Sequence, residues 1–188
     1  MEKIRTFIAI PLPREIIDEL RKLVDNMRRV SREVKWVKPE SIHLTLKFLG
    51  GLTSEELEEV FAGVEEILPG AEGVGELTIG GLGAFPNMKR PRVLWVGVKG
   101  EGLESLKNLQ NRIENSLAQK GFPKEDRKFS PHLTVGRIKI AGQLEQLLNA
   151  FISYQFPAMN FTPNRIEIMR SDLKPSGAVY SVQKSCKL

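Results

Sequence analysis

The 188-residue chain is most informative in what it is short of. It has one cysteine, two histidines, two tryptophans and two tyrosines, and aromatic residues make up only 7% of it. A single thiol, Cys186, cannot close an intramolecular disulfide and cannot supply a thiolate-rich metal site. It fits a reducing compartment. No long hydrophobic run is present. The apolar stretch Phe7–Leu12 near the start contains Pro11 and is too short to cross a bilayer or to act as a signal peptide. The expectation is therefore a protein of the cytoplasm with no membrane partner. Low-complexity segments and linker-like Gly/Ser/Pro stretches are also missing, so a single domain over residues 1–188 is expected, built of two lobes that share a core. No Lys/Arg block is long enough to form a basic tail.

What is present is ordinary globular material, 41% hydrophobic and 27% charged. The net charge of +5 favours polyanions such as nucleic acid. A surface rich in both signs, as in thermostable proteins, accounts for the same numbers.

Hydrophobic periodicity gives an alternating order of strands and helices. Arg5–Ile10 reads as a strand. After Pro13, Ile16, Ile17, Leu20, Leu23, Val24 and Met27 recur at helical spacing. Val34–Val37 and Ser41–Gly50 read as strands. In the second of these Ile42, Leu44, Leu46 and Phe48 alternate with Ser41, His43, Thr45 and Lys47, so Phe48 is expected in the core and Lys47 on the face of His43. Thr53 to Glu56 has the pattern of a capping box, and the helix it opens is expected to stop at Pro69-Gly70. Glu76–Phe85 has strand character interrupted by Gly80, Gly81 and Gly83, which suggests bulges. The second half repeats the theme. Val93–Val98 and His132–Ile138 read as strands. Helices are expected through Leu103–Leu117 and Leu144–Phe151, and further strands at Phe156–Phe161, Arg165–Met169 and Val179–Val182. The fold class expected is α+β: two pseudo-symmetric lobes, each an antiparallel sheet with helices on its outer face, around a central cleft. Lys89–Arg92 is the expected crossing point between lobes.

Both histidines begin the same tripeptide, His43-Leu44-Thr45 and His132-Leu133-Thr134. The chain has only six threonines, so this coincidence points to an internal duplication, and the spacing of 89 residues is close to half the chain. On a strand, residues i and i+2 share a face, so each histidine projects with its threonine. Two facing lobes would present two imidazoles and two hydroxyls to one cleft. Imidazole titrates near neutrality, so one can take a proton while the other gives one. The hydroxyls can donate to anionic oxygens. A phosphodiester between such units needs no metal and no cofactor. A zinc site would want a third ligand, and His-x-Thr is not a ligand spacing. A Ser/His/Asp triad would leave the second motif without a role. Arg137, five residues after His132, falls on the opposite face by strict alternation. A bulge at Gly136 would re-aim it. Trp36 and Phe85 offer base-stacking surface, with core packing the stronger reading. Lys89, Arg90, Arg92, Arg127 and Lys128 are candidates to line a nucleic-acid path, with solvated charge the default for each.

At these residues the sequence resembles the RNA 2′,3′-cyclic phosphodiesterase family of the 2H phosphoesterases, also called 2′-5′ RNA ligases. The resemblance lies in Trp36–Gly50 and Phe129–Arg137. Flanking stretches Arg5–Ile10, Gly83–Pro86, Pro91–Gly97 and Met169–Leu173, with Gly177 and Tyr180, look similar as well. It implies hydrolysis of a terminal 2′,3′-cyclic phosphate on RNA to a 2′-phosphate; the chain is expected to be a monomer. His43 would be proton donor and His132 proton acceptor, and Thr45 and Thr134 would hold the phosphate. Arg137 and Lys47 are the further candidate substrate contacts. The reverse direction would join tRNA halves through a 2′-5′ bond. Two rivals stay open: a non-catalytic RNA- or nucleotide-binding module, and a 2H enzyme acting on ADP-ribose 1″,2″-cyclic phosphate or on 2′-5′-linked oligonucleotides.

Overall fold

The computed structural model describes residues 3–69, 73–139, 144–175 and 177–188. Nine strands and four helices are seen among them. The order is β1 (Ile4–Ile10), α1 (Arg14–Val30), β2 (Val34–Trp36), β3 (Leu44–Leu52), α2 (Ser54–Ile67), β4 (Leu77–Phe85), β5 (Val93–Lys99), α3 (Leu103–Gln119), β6 (His132–Ile138), α4 (Glu145–Ser153), β7 (Met159–Phe161), β8 (Arg165–Lys174) and β9 (Gly177–Lys187). The strands form two antiparallel sheets, one of four in the order β3-β1-β8-β9 and one of five in the order β2-β6-β5-β4-β7.

The helices form where local chemistry favours them. In α1 the buried Ile16, Leu20, Leu23, Val24 and Met27 make one face, with Glu15 in the first turn and Arg28 and Arg29 in the last, each where the helix dipole favours its charge. The capping box opening α2 is complete: Glu56 N–H donates to Thr53 Oγ1 at 3.2 Å, and Thr53 N–H donates to Glu56 Oε2 at 2.7 Å. That helix ends at Ile67, just before Pro69; Gly70 lies outside the described residues.

Two β-α-β-α units, β1-α1-β3-α2 and β5-α3-β6-α4, carry the duplication; the strands of the first stand in the four-stranded sheet and those of the second in the five-stranded sheet, so the expected two pseudo-symmetric lobes are present, with the remaining elements interleaved between them. The chain starts in the four-stranded sheet, adds β2 to the edge of the other, and returns for β3. It then builds β4 to β7 in the five-stranded sheet and comes back for β8 and β9. The helices interleave too. α2 and α3 lie against β3, while α1 and α4 lie against β2 and β4 respectively. The seam between α2 and α3 is close because Gly63 has no side chain. A Cβ there would stand 2.9 Å from Leu117 Cδ2, and Ser116 Oγ donates to the Gly63 carbonyl at 2.8 Å.

Several expectations are corrected. Lys89–Arg92 is not a crossing between lobes; it lies in the hairpin turn joining β4 to β5 within one sheet. Ser41 ends a single 3-10 turn, Pro39–Ser41, so β3 begins only at Leu44. Phe156–Phe161 shortens to Met159–Phe161, and the last two strands lengthen into a paired hairpin from Arg165 to Lys187. The glycine-interrupted strand does bulge: pairing steps from Ile79 opposite Val98 to Leu82 opposite Val96, and Gly81 takes φ +77° at the extra residue.

Candidate active site

The two His-Leu-Thr segments enter equivalent strands, β3 and β6. As far as each threonine, simple alternation holds. Ile42, Leu44, Leu46, Leu133 and Val135 are buried toward the helices, and His43, Thr45, His132 and Thr134 are half-buried on the other face.

Just past each threonine the alternation breaks, in both strands at the same place. Ala9 of β1 pairs with Thr45, but its neighbour Ile8 pairs with Lys47, so Leu46 is an extra residue. Trp95 of β5 pairs with Thr134 and Leu94 with Gly136, so Val135 is extra. Each bulge turns two successive residues toward the helices and returns the fifth residue after each histidine to the cleft. In β6 that residue is Arg137, which is exposed and close enough to depress the proton affinity of both His132 and Tyr180. In β3 it is Phe48, 61% exposed and therefore not the core residue that alternation predicts.

Lys47 is corrected for the same reason. It is 1% exposed, turned away from His43, with Nζ donating to Glu114 Oε2 of α3 at 2.7 Å and to the Pro123 carbonyl at 2.9 Å. The equivalent place in β6 is Gly136, where a Cβ would meet Val34 Cγ1 at 2.6 Å and Trp36 Cε3 at 2.9 Å. In the four-stranded sheet β3 is an edge with no strand beyond it among the described residues, which leaves room for a long side chain.

Each imidazole is held by a serine carbonyl two residues before it. His132 Nδ1 lies 2.7 Å from the Ser130 carbonyl, and His43 has the matching contact with the Ser41 backbone. A carbonyl only accepts, so the hydrogen of neutral His132 sits on Nδ1 and the Nε2 lone pair is free. The ring of His43 stacks on Phe7 at 4.6 Å between centroids and meets the edge of Tyr180 at 5.3 Å. His132 meets Phe85 edge-on at 4.8 Å, and Phe85 packs on Trp95 at 5.4 Å. Burial pushes the His43 pKa down to about 4, against a smaller opposing effect from Ser41. The His132 pKa is also lowered, by burial first and then by Arg137, with the Ser130 bond opposing. Tyr180 is raised by burial.

The surroundings of the two histidines are linked through Tyr180 and Arg137. Tyr180, from the four-stranded sheet, touches His43 and feels the charge of Arg137, which stands on the five-stranded sheet and bears on His132 as well. Beside His43 a cavity of about 350 Å³ runs between Ile42, Met169 and Tyr180, in the size range of small-ligand sites.

The duplication in this chain has a counterpart among known protein families. The family described as "LigT like Phosphoesterase" matches residues 10–95 and again 96–180. The chain belongs to the LigT-like phosphoesterases. A relative from Methanothermobacter thermautotrophicus, named RNA 2′,3′-cyclic phosphodiesterase, is 32% identical, the match covering 95% of this chain and 96% of that protein. One of the same name from Aquifex aeolicus is 34% identical over 97% of this chain and 96% of its own. Among solved structures, a Thermus thermophilus protein superposes with a TM-score of 0.78 at 28% identity, covering 98% and 97% of the two chains. The Escherichia coli LigT complexed with 3′-AMP shares the fold, with a TM-score of 0.75 at 21% identity, covering 100% and 99%. In this LigT-like phosphoesterase no helix among the described residues is long and apolar enough to cross a membrane.

The sequence reading did not assign roles to Phe7, Tyr180 or the two serine carbonyls. A signal for the last was available. Ser41 and Ser130 lengthen the repeat toward its N-terminal side, from His-Leu-Thr to Ser-x-His-Leu-Thr.

Proposed function

We propose that this LigT-like phosphoesterase hydrolyses the 2′,3′-cyclic phosphate at RNA ends to a 2′-phosphate, with the two histidines as acid and base. The observation that supports this is the pair of equivalently bulged strands, one carrying His43 with Thr45 and the other His132 with Thr134, whose surroundings Tyr180 and Arg137 link. The names of the relatives supply the substrate class.

In this reading water attacks phosphorus and gives its proton to Nε2 of His132. The P–O3′ bond breaks and the leaving O3′ takes a proton from His43. The free Nε2 lone pair of His132 suits the acceptor, with Ser130 fixing the ring. His43 is neutral in the empty cleft at neutral pH, so its role as donor depends on the substrate. An anionic phosphate beside a buried imidazole favours the charged form and raises its pKa. Thr45 and Thr134 donate hydroxyl hydrogen bonds to the non-bridging oxygens, and Arg137 neutralises charge that grows on them. Lys47, committed to Glu114, takes no part. One chain supplies every group, and no cofactor enters. With a ribose hydroxyl in place of water as the attacking group the same steps, run in the same direction with O3′ leaving, would give 2′-5′ joining of RNA ends, tRNA halves included.

The test is incubation with an oligonucleotide ending in a 2′,3′-cyclic phosphate, with phosphorus NMR identifying the product. A 2′-phosphate is expected, and loss of roughly 10²–10⁴-fold in rate for His43→Ala and for His132→Ala. A 3′-phosphate product, or no turnover of any cyclic end, refutes the proposal.

A further inference from the structure

The turn joining β4 to β5 carries Lys89, Arg90 and Arg92, and the phosphate chemistry just described uses none of them. All three are exposed, and no side chain among them has a hydrogen-bond or ion-pair partner among the described residues. Cations elsewhere are answered by acids: Lys107 pairs with Glu104, Lys120 with Glu66 and Lys184 with Glu65. The turn is also held in one shape. The N–H groups of Lys89 and Arg90 donate to Asn87 Oδ1 at 3.0 and 3.1 Å, and Arg92 N–H donates to the Phe85 carbonyl at 2.7 Å. The Arg92 carbonyl accepts from Ile138 N–H at 3.0 Å, which ties the turn to β6.

These residues form one wall of a groove whose other wall is α4. Its volume is about 1410 Å³, more than the roughly 300–1,000 Å³ of a small-ligand site. The α4 wall offers apolar surface from Leu148 and Ile152, the latter 55% exposed, and an amide from Asn149. Glu145 is the single acid among the lining residues. Cations along one wall and apolar and amide groups along the other match a polymer with an anionic backbone and flat, hydrogen-bonding side groups.

The groove continues from the active site. Phe85, whose ring meets His132, is the last residue of β4 before the turn, so Arg90, five residues on, lies within roughly 18 Å of it. At this end of the sheet Val93 pairs with Arg137, and Arg137 pairs in turn with Lys35 of β2, which is exposed. Cations therefore run from the arginine that bears on His132 round the end of the five-stranded sheet into the groove. A cyclic mononucleotide has one phosphate and leaves the cations of the turn nothing to neutralise. A longer strand brings a phosphate with each residue.

We infer that the groove between the β4–β5 turn and α4 is a second RNA site, which holds the strand on the 5′ side of the cyclic end through backbone phosphates on Lys89, Arg90 and Arg92. This rests on the proposed function and adds to it a preference for longer strands over mononucleotides. The preference is blind to sequence, because phosphate contacts carry no base information.

The experiment compares an RNA dodecamer ending in a 2′,3′-cyclic phosphate with adenosine 2′,3′-cyclic phosphate. The readout is the ratio of their kcat/KM values, measured across a range of salt. The ratio should exceed one in the wild type. In the triple variant Lys89→Gln, Arg90→Gln, Arg92→Gln it should fall by about ten-fold or more, with the mononucleotide rate unchanged. Each phosphate contact on a single strand adds about 0.7 to the log–log salt slope, so the dodecamer's slope should flatten by about 2. Ile152→Glu, on the facing wall, should lower the ratio as well. A control triple, Lys107→Gln, Lys120→Gln, Lys184→Gln, removes the same charge from α3 and β9, outside the groove, and should leave the ratio within about twofold, since salt screens distant exposed charge. A wild-type ratio of one, a ratio unchanged in the groove variants, or an equal fall in the control overturns the second site while leaving the hydrolysis intact. Wild-type protein that turns over neither substrate refutes the proposed function instead.

Discussion

Replacing Lys47 by Met separates what the bulge in β3 does from what strand alternation alone would have it do. In the structure Lys47 is the positive half of a buried pair. Its Nζ lies 2.7 Å from Glu114 Oε2 and 2.9 Å from the Pro123 carbonyl. Glu114 accepts as well from Gln110 Nε2 at 3.2 Å. With Lys47 at 1% exposure and Glu114 at 7%, the substitution leaves a buried carboxylate without its cationic donor in a medium that solvates it poorly. Breaking a buried pair from one side costs about 3–5 kcal/mol, a large share of the roughly 5–15 kcal/mol that holds a domain together. At a urea slope of about 2 kcal/mol/M the unfolding midpoint drops by about 1.5–2.5 M. Removing both charges, Lys47→Met with Glu114→Leu, should recover most of the loss, since an apolar pair of similar volume replaces the ion pair at little net cost. Urea titrations followed by circular dichroism, run as a double-mutant cycle, measure the coupling. At a temperature where the single variant is folded, its kcat/KM on a cyclic phosphate should stay within about twofold of wild type. If Lys47→Met unfolds at the wild-type midpoint but has lost activity, the side chain reaches phosphate and the structural assignment is wrong.

Other outcomes rest on the same geometry. Thr45→Val and Thr134→Val keep shape and strand propensity but remove a donor to a charged group; each should lower kcat/KM by roughly ten- to a hundred-fold, about 1.5–3 kcal/mol, with little change in melting temperature. Steady-state rates at wild-type level in both would exclude contact with the substrate. The profile of kcat/KM against pH should be a bell displaced to acid, because free-enzyme imidazoles with lowered pKa values are both neutral above the ordinary value of 6.5. One limb lies near 4, from His43, and the other below the ordinary histidine value, since burial and Arg137 lower His132 as well. A bell centred at or above pH 7 would contradict the burial of His43. Stability should respond as well. Between pH 6.5 and 4 the unfolded chain protonates His43 and the folded one does not, so stability falls with falling pH by up to about 3 kcal/mol, fully present above 6.5, and His43→Gln should flatten this part of the curve in chemical denaturation. EDTA should leave the rate unchanged, since the acid–base steps use no metal; activity that is lost to the chelator and returns with a divalent ion would replace them by metal-activated water.

Some of this was readable in the chain before any folding. The repeated His-Leu-Thr, the apolar stripes of α1 and α3 and the capping box at Thr53 depend on residues within a turn or a strand of each other. Their periodicity is a local property of a helix or an extended backbone. The facing of Ile42, Leu44, His43 and Thr45 was legible for the same reason. The facing of the residues beyond Thr45 was not. A bulge exists only relative to a partner strand, and the partner of β3 is β1, some forty residues earlier in the sequence. Gly136 hinted at the one in β6, because a residue without a side chain fits where Val34 and Trp36 crowd in. Nothing marks Leu46 in the same way. So the strand pattern put Lys47 in the cleft and Phe48 in the core, and the tertiary structure exchanged them. The lysine's partner, Glu114, lies on a helix of the second repeat, and only the interleaved packing of α3 against β3 brings it into reach. The length of the β8–β9 hairpin and the arrival of Tyr180 beside His43 were hidden likewise. Strand ends and ring contacts between distant segments are set by which surfaces meet, and alternation along one segment says only which side each residue would show.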